Sequence, residues 1–446
     1  KNGGNFWENI TPKDMPDWMM INSIEPSVFD PGTCYIAGTK YKSGDFSPYL
    51  YKTKNYGKTW TKITNGINPE HFTRVVREDP VRQGLLYAGT ETGLYISFND
   101  GENWKPFQLN LPIVPITDLT IKENNLIVAT QGRSLWILDD LTVIHQLYES
   151  DLQNNILFKP KDTYRMGGRS VKNNKTNGTN LESGVITYFN LNNYNKKDEV
   201  SLTYFNAKGD TIKTFSTTSK KNKLALKKGS NKFVWDMIYD GAATFPGLIM
   251  WSGSLRGPRA IPGNYVVNLN VNGEVSKKTF KILKDPRAES SIEDIEKQFI
   301  FIEEINNTLD KTHKTIKKIR NINKKLDVFV TQYKNDLNVK GLVEKASTLK
   351  EQFSAIEKAL YQTKNRSRQD PLNFPIKLNN KLAHLNALVG RGDFAPTDQD
   401  VEVKNELTQK INKQLQMFDD LVANDIKSFN ASFNTENLTY LEVEGN

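Results

Sequence analysis

An eight-residue turn with the pattern Ser/Thr-x-Asn-x-Gly-x-x-Trp occurs at Thr53 to Trp60 and again at Ser97 to Trp104. Its back half stands at the start of the chain, ending at Trp7. In such a turn the short polar side chains bond their own backbone, glycine supplies a positive φ, and tryptophan packs on the next strand. Trp60 and Trp104 lie 44 residues apart, the length of one four-stranded propeller blade. The repeat therefore commits residues 1–147 to successive antiparallel sheets. In this register position 1 falls inside a hairpin, so the chain reads as the C-terminal part of a longer protein. Three blades cannot close a propeller, and the remainder of the same propeller or a second chain is expected to complete it.

The hydrophobic pattern supports that division. Strands are expected at residues 20–26, 34–39, 49–52 and 59–63, then at 72–77, 85–89, 94–98 and 104–109. A last blade at 116–122, 125–130 and 134–139 lacks the turn. Residues 155–285 alternate apolar and polar with period 2 over 185–191, 200–206, 211–216, 231–236, 265–271 and 277–283, which predicts a β-sandwich. Residues 165–184, rich in Gly, Asn and Lys, are expected to be a loop.

From Ser290 the period changes to about 3.5. Ser290-x-x-Glu293 reads as a capping box, followed by a seam of Ile302, Ile305, Leu309, Ile316, Ile319, Leu326, Val330 and Tyr333. Leu342 to Leu360 and Leu378 to Val389 give two further seams, and Thr397 or Asp398 caps a fourth helix. Residues 289–440 are thus predicted to be an antiparallel four-helix bundle. The fold class is multidomain, all-β followed by all-α.

Composition narrows the function classes. Cys34 is the only cysteine and four histidines are scattered, so no disulfide, metal site or cofactor is expected. No run of 18 apolar residues marks a membrane-spanning helix. Residues 151–288 carry 23 basic and ten acidic side chains, a local charge of +13 within a net +9. Such a surface suits an acidic polysaccharide or lipopolysaccharide, with a solvated lysine-rich face as the preferred reading. Without the aromatic–basic interleaving of nucleic-acid motifs, no nucleic-acid partner is expected.

The turns resemble the Asp-box of bacterial neuraminidase-type repeats, with Asn in the usual Asp place. The stretches Gly229–Trp235 with Asp236, and Pro262 to Tyr265, resemble the immunoglobulin-like module of flagellar hook-capping proteins. Longer strings resemble the BNR-repeat, sortilin-like proteins of Bacteroidota often labelled glycosyl hydrolases. They are His71 to Pro80, Ala88 to Tyr95, Gly132 to Asp140, Gly257 to Gly263 and Ala395 to Gln399. The resemblance implies extracytoplasmic placement and the order propeller, immunoglobulin-like sandwich, bundle; it implies no demonstrated reaction.

In a propeller, ligands meet the loops before the innermost strand and between the second and third strands. That scheme places His71, Arg74, Glu91, Asp118, Gln131 and Arg133 near the mouth. A glycosidase wants two carboxylates roughly 5–10 Å apart, and Glu91 with Asp118 is the best pair if the chain is an enzyme. A sialidase-like site wants three arginines around a carboxylate, and only Arg74 and Arg133 are suitably placed. Ligand contact is therefore expected from His71, Arg74, Gln131 and Arg133, and from Trp251 in an aromatic–basic insertion with Phe245, Met250, Arg256 and Arg259. Packing is the competing role for that insertion. Arg391-Gly392-Asp393 matches the integrin tripeptide but reads as a chance loop sequence. The expected function is an exported propeller that binds a protein, peptide or glycan, or acts as a scaffold. The alternative is a secreted glycoside hydrolase whose main catalytic groups lie N-terminal to this chain.

Overall fold

The structure, a computed structural model, describes residues 3–147, 154–167 and 178–435. Two positions of the first half-copy of the turn, and 168–177 of the expected loop, lie outside the described residues. The chain divides into two compact units, one comprising Lys1–Lys161, Tyr188–Asn195 and Lys227–Asn231, the other comprising Asp162–Thr187, Lys196–Leu226 and Lys232–Asn446.

The first unit is propeller-like, built of up-and-down sheets. Strands β1 (Met20–Pro26), β2 (Cys34–Lys40), β3 (Asp45–Thr53) and β4 (Thr61–Lys62) pair in sequence order. So do β5 (Thr73–Glu78), β6 (Leu86–Thr90), β7 (Gly93–Ser97) and β8 (Lys105–Pro106), then β9 (Ile116–Lys122), β10 (Asn125–Thr130) and β11 (Leu135–Leu138). Side chains on a strand alternate between faces, and the second sheet uses both. Val76, Leu86, Ala88 and Tyr95 join Tyr35, Ala37 and Leu50 of the first sheet. Val75, Tyr87, Leu94 and Ile96 join Ile116, Leu119, Leu126 and Val128 of the third. Every residue of β6 and β7 is consequently buried, as a sheet covered on both faces requires.

The repeated turn staples neighbouring sheets. In the first copy the Thr53 hydroxyl accepts from Gly57 N at 3.0 Å and Asn55 Oδ1 accepts from Thr59 N at 2.9 Å. In the second, Ser97 and Asn99 repeat this with Gly101 N and Asn103 N, both at 3.0 Å. The Trp60 indole then donates to Ile10 O, and the Trp104 indole to Ile63 O, each at 2.7 Å. Each acceptor lies three residues beyond the tryptophan of the preceding copy, so the half-copy ending at Trp7 is in register. Gly57 and Gly101 sit at φ +81° and +85°, and a Cβ on either would come within 2.6 Å of Cδ1 of Ile10 or Ile63 respectively.

Eight further strands follow a short helix α1 (Thr142–Leu147): β12 (Ile156–Leu157), β13 (Thr163–Tyr164), β14 (Val185–Leu191), β15 (Val200–Phe205), β16 (Thr211–Ser216), β17 (Gly229–Trp235), β18 (Gly263–Val271) and β19 (Glu274–Leu283). They form sheets of order β12-β14-β17 and β13-β19-β18-β15-β16. Trp235 is fully buried, stacked on Tyr204 at 4.6 Å, while the Tyr204 hydroxyl bonds that of Thr187 at 2.8 Å.

The C-terminal region is helical: α2 (Ile292–Tyr333), α3 (Lys340–Leu360), α4 (Leu378–Val389), α5 (Asp398–Asp420) and α6 (Lys427–Thr435), the last two joined by a π-helical stretch Leu421–Ile426. Their apolar seams share one core with Ala242 and Phe245. The first cap falls one residue later than expected. Ser291, not Ser290, caps α2, and Asp294 closes the box by accepting from Ser291 N at 2.9 Å. Thr397 caps α5 in the same way with Asp400. Among the described residues no helix is long and apolar enough to cross a membrane.

Residues 242–256, between β17 and β18, have few strand partners and bond to helix side chains instead. Asn306 Oδ1 accepts from Ala242 N at 3.2 Å and Asp310 from Ala243 N at 3.0 Å. Asn380 makes two bonds to the Trp251 backbone, both at 2.8 Å, and Asn386 donates to Ser254 O and Arg256 O. The packing role proposed for this insertion is the one observed for Phe245, which meets His313 and Tyr361 edge-on at 5.1 Å.

His313 is fully buried, with Nδ1 2.6 Å from Ala243 O and Nε2 3.2 Å from Asn379 Nδ2. The carbonyl can only accept, so Nδ1 carries a proton. Burial holds its pKa below the ordinary imidazole value of 6.5, against the smaller opposing pull of the Ala243 carbonyl and Asp310. Below pH ~6.5 the unfolded chain takes up a proton that the folded chain refuses. Stability contributed by this site is therefore present above pH ~6.5 and lost as pH falls toward the folded pKa. The urea midpoint of the native chain should drop more between pH 7 and 5 than that of His313→Gln. Equal slopes for the two proteins would refute this.

Candidate functional site

The loop end of the first unit's sheets, opposite the stapling turns, carries six of the seven expected site residues. Arg74 projects from β5 and Glu91 stands in the β6–β7 turn, whose Glu91 N donates to Phe72 O at 3.0 Å. That turn holds the Glu91 carboxylate 2.6 Å from both Nε and Nη2 of Arg74. The guanidinium also lies 5.2 Å from the Phe72 ring and 5.8 Å from Tyr41, and those two rings stack at 4.9 Å. Phe46, half exposed, adds a third ring 6.1 Å from Phe72. His71 Nδ1 lies 2.9 Å from the Tyr95 hydroxyl.

Asp118 belongs to a different set. It lies on β9, largely exposed, with Oδ1 2.7 Å from Nη2 of Arg77. Arg77 ties three innermost strands together: its Nη1 donates to Ser23 Oγ of β1 at 2.8 Å, and its Nε donates to Leu119 O of β9 at 2.7 Å. Glu25 accepts from the same Nη1 at 3.4 Å, and burial pushes its carboxyl above the ordinary value against the pull of Arg77. Glu91 and Asp118 therefore each answer to a separate arginine.

Gln131 and Arg133 lie in the β10–β11 turn. Gln131 N donates to Pro115 O, while the guanidinium of the exposed Arg133 donates to the neighbouring Gly132 O at 2.8 Å. Trp251 belongs to the other unit, in the helix-bonded insertion, with its side chain partly exposed. Arg77, Tyr41 and Phe46 are functional candidates that sequence reasoning passed over. The rule that selected Glu91, the turn between second and third strands, applied to the first sheet selects Tyr41.

The chain matches no family model and no curated protein. Solved structures match at low similarity. YCF48 bound to D1 peptide is 12% identical, with 59% of this chain covering 67% of that one at a TM-score of 0.20. YCF48 from Cyanidioschyzon merolae is 9% identical, with 59% covering 73% at a TM-score of 0.22. The GH74 enzyme of Niastella koreensis is 11% identical at a TM-score of 0.22, and 58% of this chain spans only 38% of its length. At such scores no function passes from these proteins to this one.

Proposed function

We propose that this chain is an exported, BNR-type propeller module that binds a protein, peptide or glycan at the loop end of its β-sheets. One observation carries the reading. The two carboxylates that a glycosidase would need are each held by a different arginine, Glu91 by Arg74 and Asp118 by Arg77. A general acid and a nucleophile work as a pair across one bond, whereas these two are committed separately. The half-exposed Phe46 and the partly exposed Tyr41 beside the Arg74–Glu91 pair instead offer aromatic stacking surface next to a polar rim. On this reading 1–147 is the propeller part, 155–285 an immunoglobulin-like sandwich, and 289–440 an antiparallel four-helix bundle serving as a strut. Further β-blades cover the apolar side chains left exposed on the outer sheets, such as Ile24, Leu135 and Ile137.

The test uses oligosaccharide and peptide arrays, then titration of whatever the chain retains. Arg74→Ala should weaken retention at least tenfold, while Asp118→Asn leaves it within twofold. An unchanged Arg74→Ala, or no retention by the native chain, would overturn the reading. Release of sugar that falls about a thousandfold in both Glu91→Gln and Asp118→Asn, the loss expected for a key catalytic group, would establish the hydrolase.

A further inference from the structure

A cavity of about 750 Å³ lies within the second unit, between the insertion, the β19–α2 link, α2 and the loop after α4. That volume is of the size that encloses small ligands. Four arginines line it, Arg165, Arg256, Arg259 and Arg287, with three acids, Asp285, Glu289 and Asp393.

Most of these charges are already matched. Arg287 holds Asp285 through Nε at 3.0 Å and Nη2 at 2.8 Å. Arg256 is paired with Asp236 at 2.9 Å. Arg165, with its side chain only 2% exposed, is ion-paired with Asp393 and donates from Nε to Ala260 O at 2.9 Å. Arg259 alone of the four has no acceptor for its guanidinium among the described residues.

Nothing about its backbone allows it to swing away. Gly257 packs so closely that a Cβ there would sit 2.4 Å from Tyr239 O. Ala260 N donates to Met237 O at 2.7 Å, and Tyr239 N to Pro258 O at 3.0 Å. The main chain at Arg259 is thus held in the cavity wall by hydrogen bonds on either side. Burial depresses its pKa and the neighbouring charge of Arg165 adds to that, against the smaller opposing pull of Asp393 and Asp236. A half-buried cation beside another cation is costly unless an anion joins it.

We propose that the cavity is a binding site for the carboxylate of a small ligand, with Arg259 as its primary anchor. A planar guanidinium fork matches a carboxylate in two parallel hydrogen bonds. The ligand's remainder faces Ile238, Ile302 and the exposed Phe394 ring, so the site takes a carboxylate with an attached ring or apolar group. Two sources offer that chemistry: a peptide C-terminus with an apolar last residue, and a uronic acid.

The experiment titrates the full chain calorimetrically with Gly-Gly-Phe, its C-terminal amide, galacturonate and galactose. Binding of Gly-Gly-Phe but not its amide assigns a peptide terminus, whereas binding of galacturonate but not galactose assigns a sugar acid. In either case Arg259→Gln should weaken binding at least tenfold, and Arg259→Lys, which keeps the charge but not the fork, should weaken it less. Urea unfolding of both variants establishes that they are folded. The proposal fails if neither acid binds at 10 mM, if the neutral analogues bind equally well, or if folded Arg259→Gln binds as the native chain does. A misfolded Arg259→Gln leaves the analogue comparison and Arg259→Lys to decide.

Discussion

Replacing Trp104 with alanine should destabilise the first unit by about 4 kcal/mol, within the range for emptying a buried aromatic site. Trp104 is only 3% exposed and packs with Tyr35, Leu50, Ile63, Val76 and Tyr95. Its loss opens a void between two sheets and strands the Ile63 carbonyl, which otherwise accepts from the indole at 2.7 Å. Domains are stable by only about 5–15 kcal/mol, so the sheets should melt at markedly lower urea. Trp104→Phe keeps the apolar bulk and removes the donor, and should cost about 1–2 kcal/mol, close to one orphaned acceptor. Far-UV circular dichroism during urea unfolding measures both. An alanine variant within 1 kcal/mol of the native protein would refute the staple as a stabilising element.

The second large effect concerns the ion pair of Arg165 and Asp393, and it should be asymmetric. Asp393 retains some solvent access, whereas the Arg165 side chain is almost wholly enclosed. Asp393→Ala leaves a buried cation without its counter-charge and should cost about 3–5 kcal/mol. Arg165→Met leaves a carboxylate that can rehydrate, and should cost about 2 kcal/mol less than Asp393→Ala. The double variant Arg165→Met with Asp393→Leu should recover much of the loss, because an apolar pair escapes the desolvation penalty. Equal losses for the two single variants would mean that both charges reach water equally well. The pairing also occupies the aspartate of the Arg391-Gly392-Asp393 tripeptide.

What could be read from the chain follows the range of the interactions involved. The repeated turn closes through Thr53, Asn55 and Gly57 within eight residues, so its geometry is contained in its own sequence. Strand and helix periods are likewise local, and the expected strands of the second and third sheets fall close to those observed. The cap of α2 was ambiguous because Ser290 and Ser291 each precede an acid by three positions. The short arm of Asp294 reaching back to Ser291 N decides it. Pairing Glu91 with Asp118 rested on neighbouring blades alone and took no account of arginines on the intervening strand. Arg77 meets partners more than 40 positions away on both sides. His313 sat unremarked in a helical seam because its acceptor, Ala243, is 70 residues distant.

The helix-bonded insertion imposes an order on biosynthesis. Its peptide groups around Ala242 to Arg256 are completed by Asn306, Asp310, Asn380 and Asn386. The last of these leaves the ribosome about 130 residues after Arg256, on the order of ten seconds later at typical elongation rates. During that interval peptide groups such as those of Ala243 and Trp251 lack their helix partners, although the flanking strands have already emerged. The repeated turns at Thr53 and Ser97 close on near neighbours and need no such delay. Truncation within the helices should then yield a translation product whose sheets are present but whose middle remains a protease-sensitive loop.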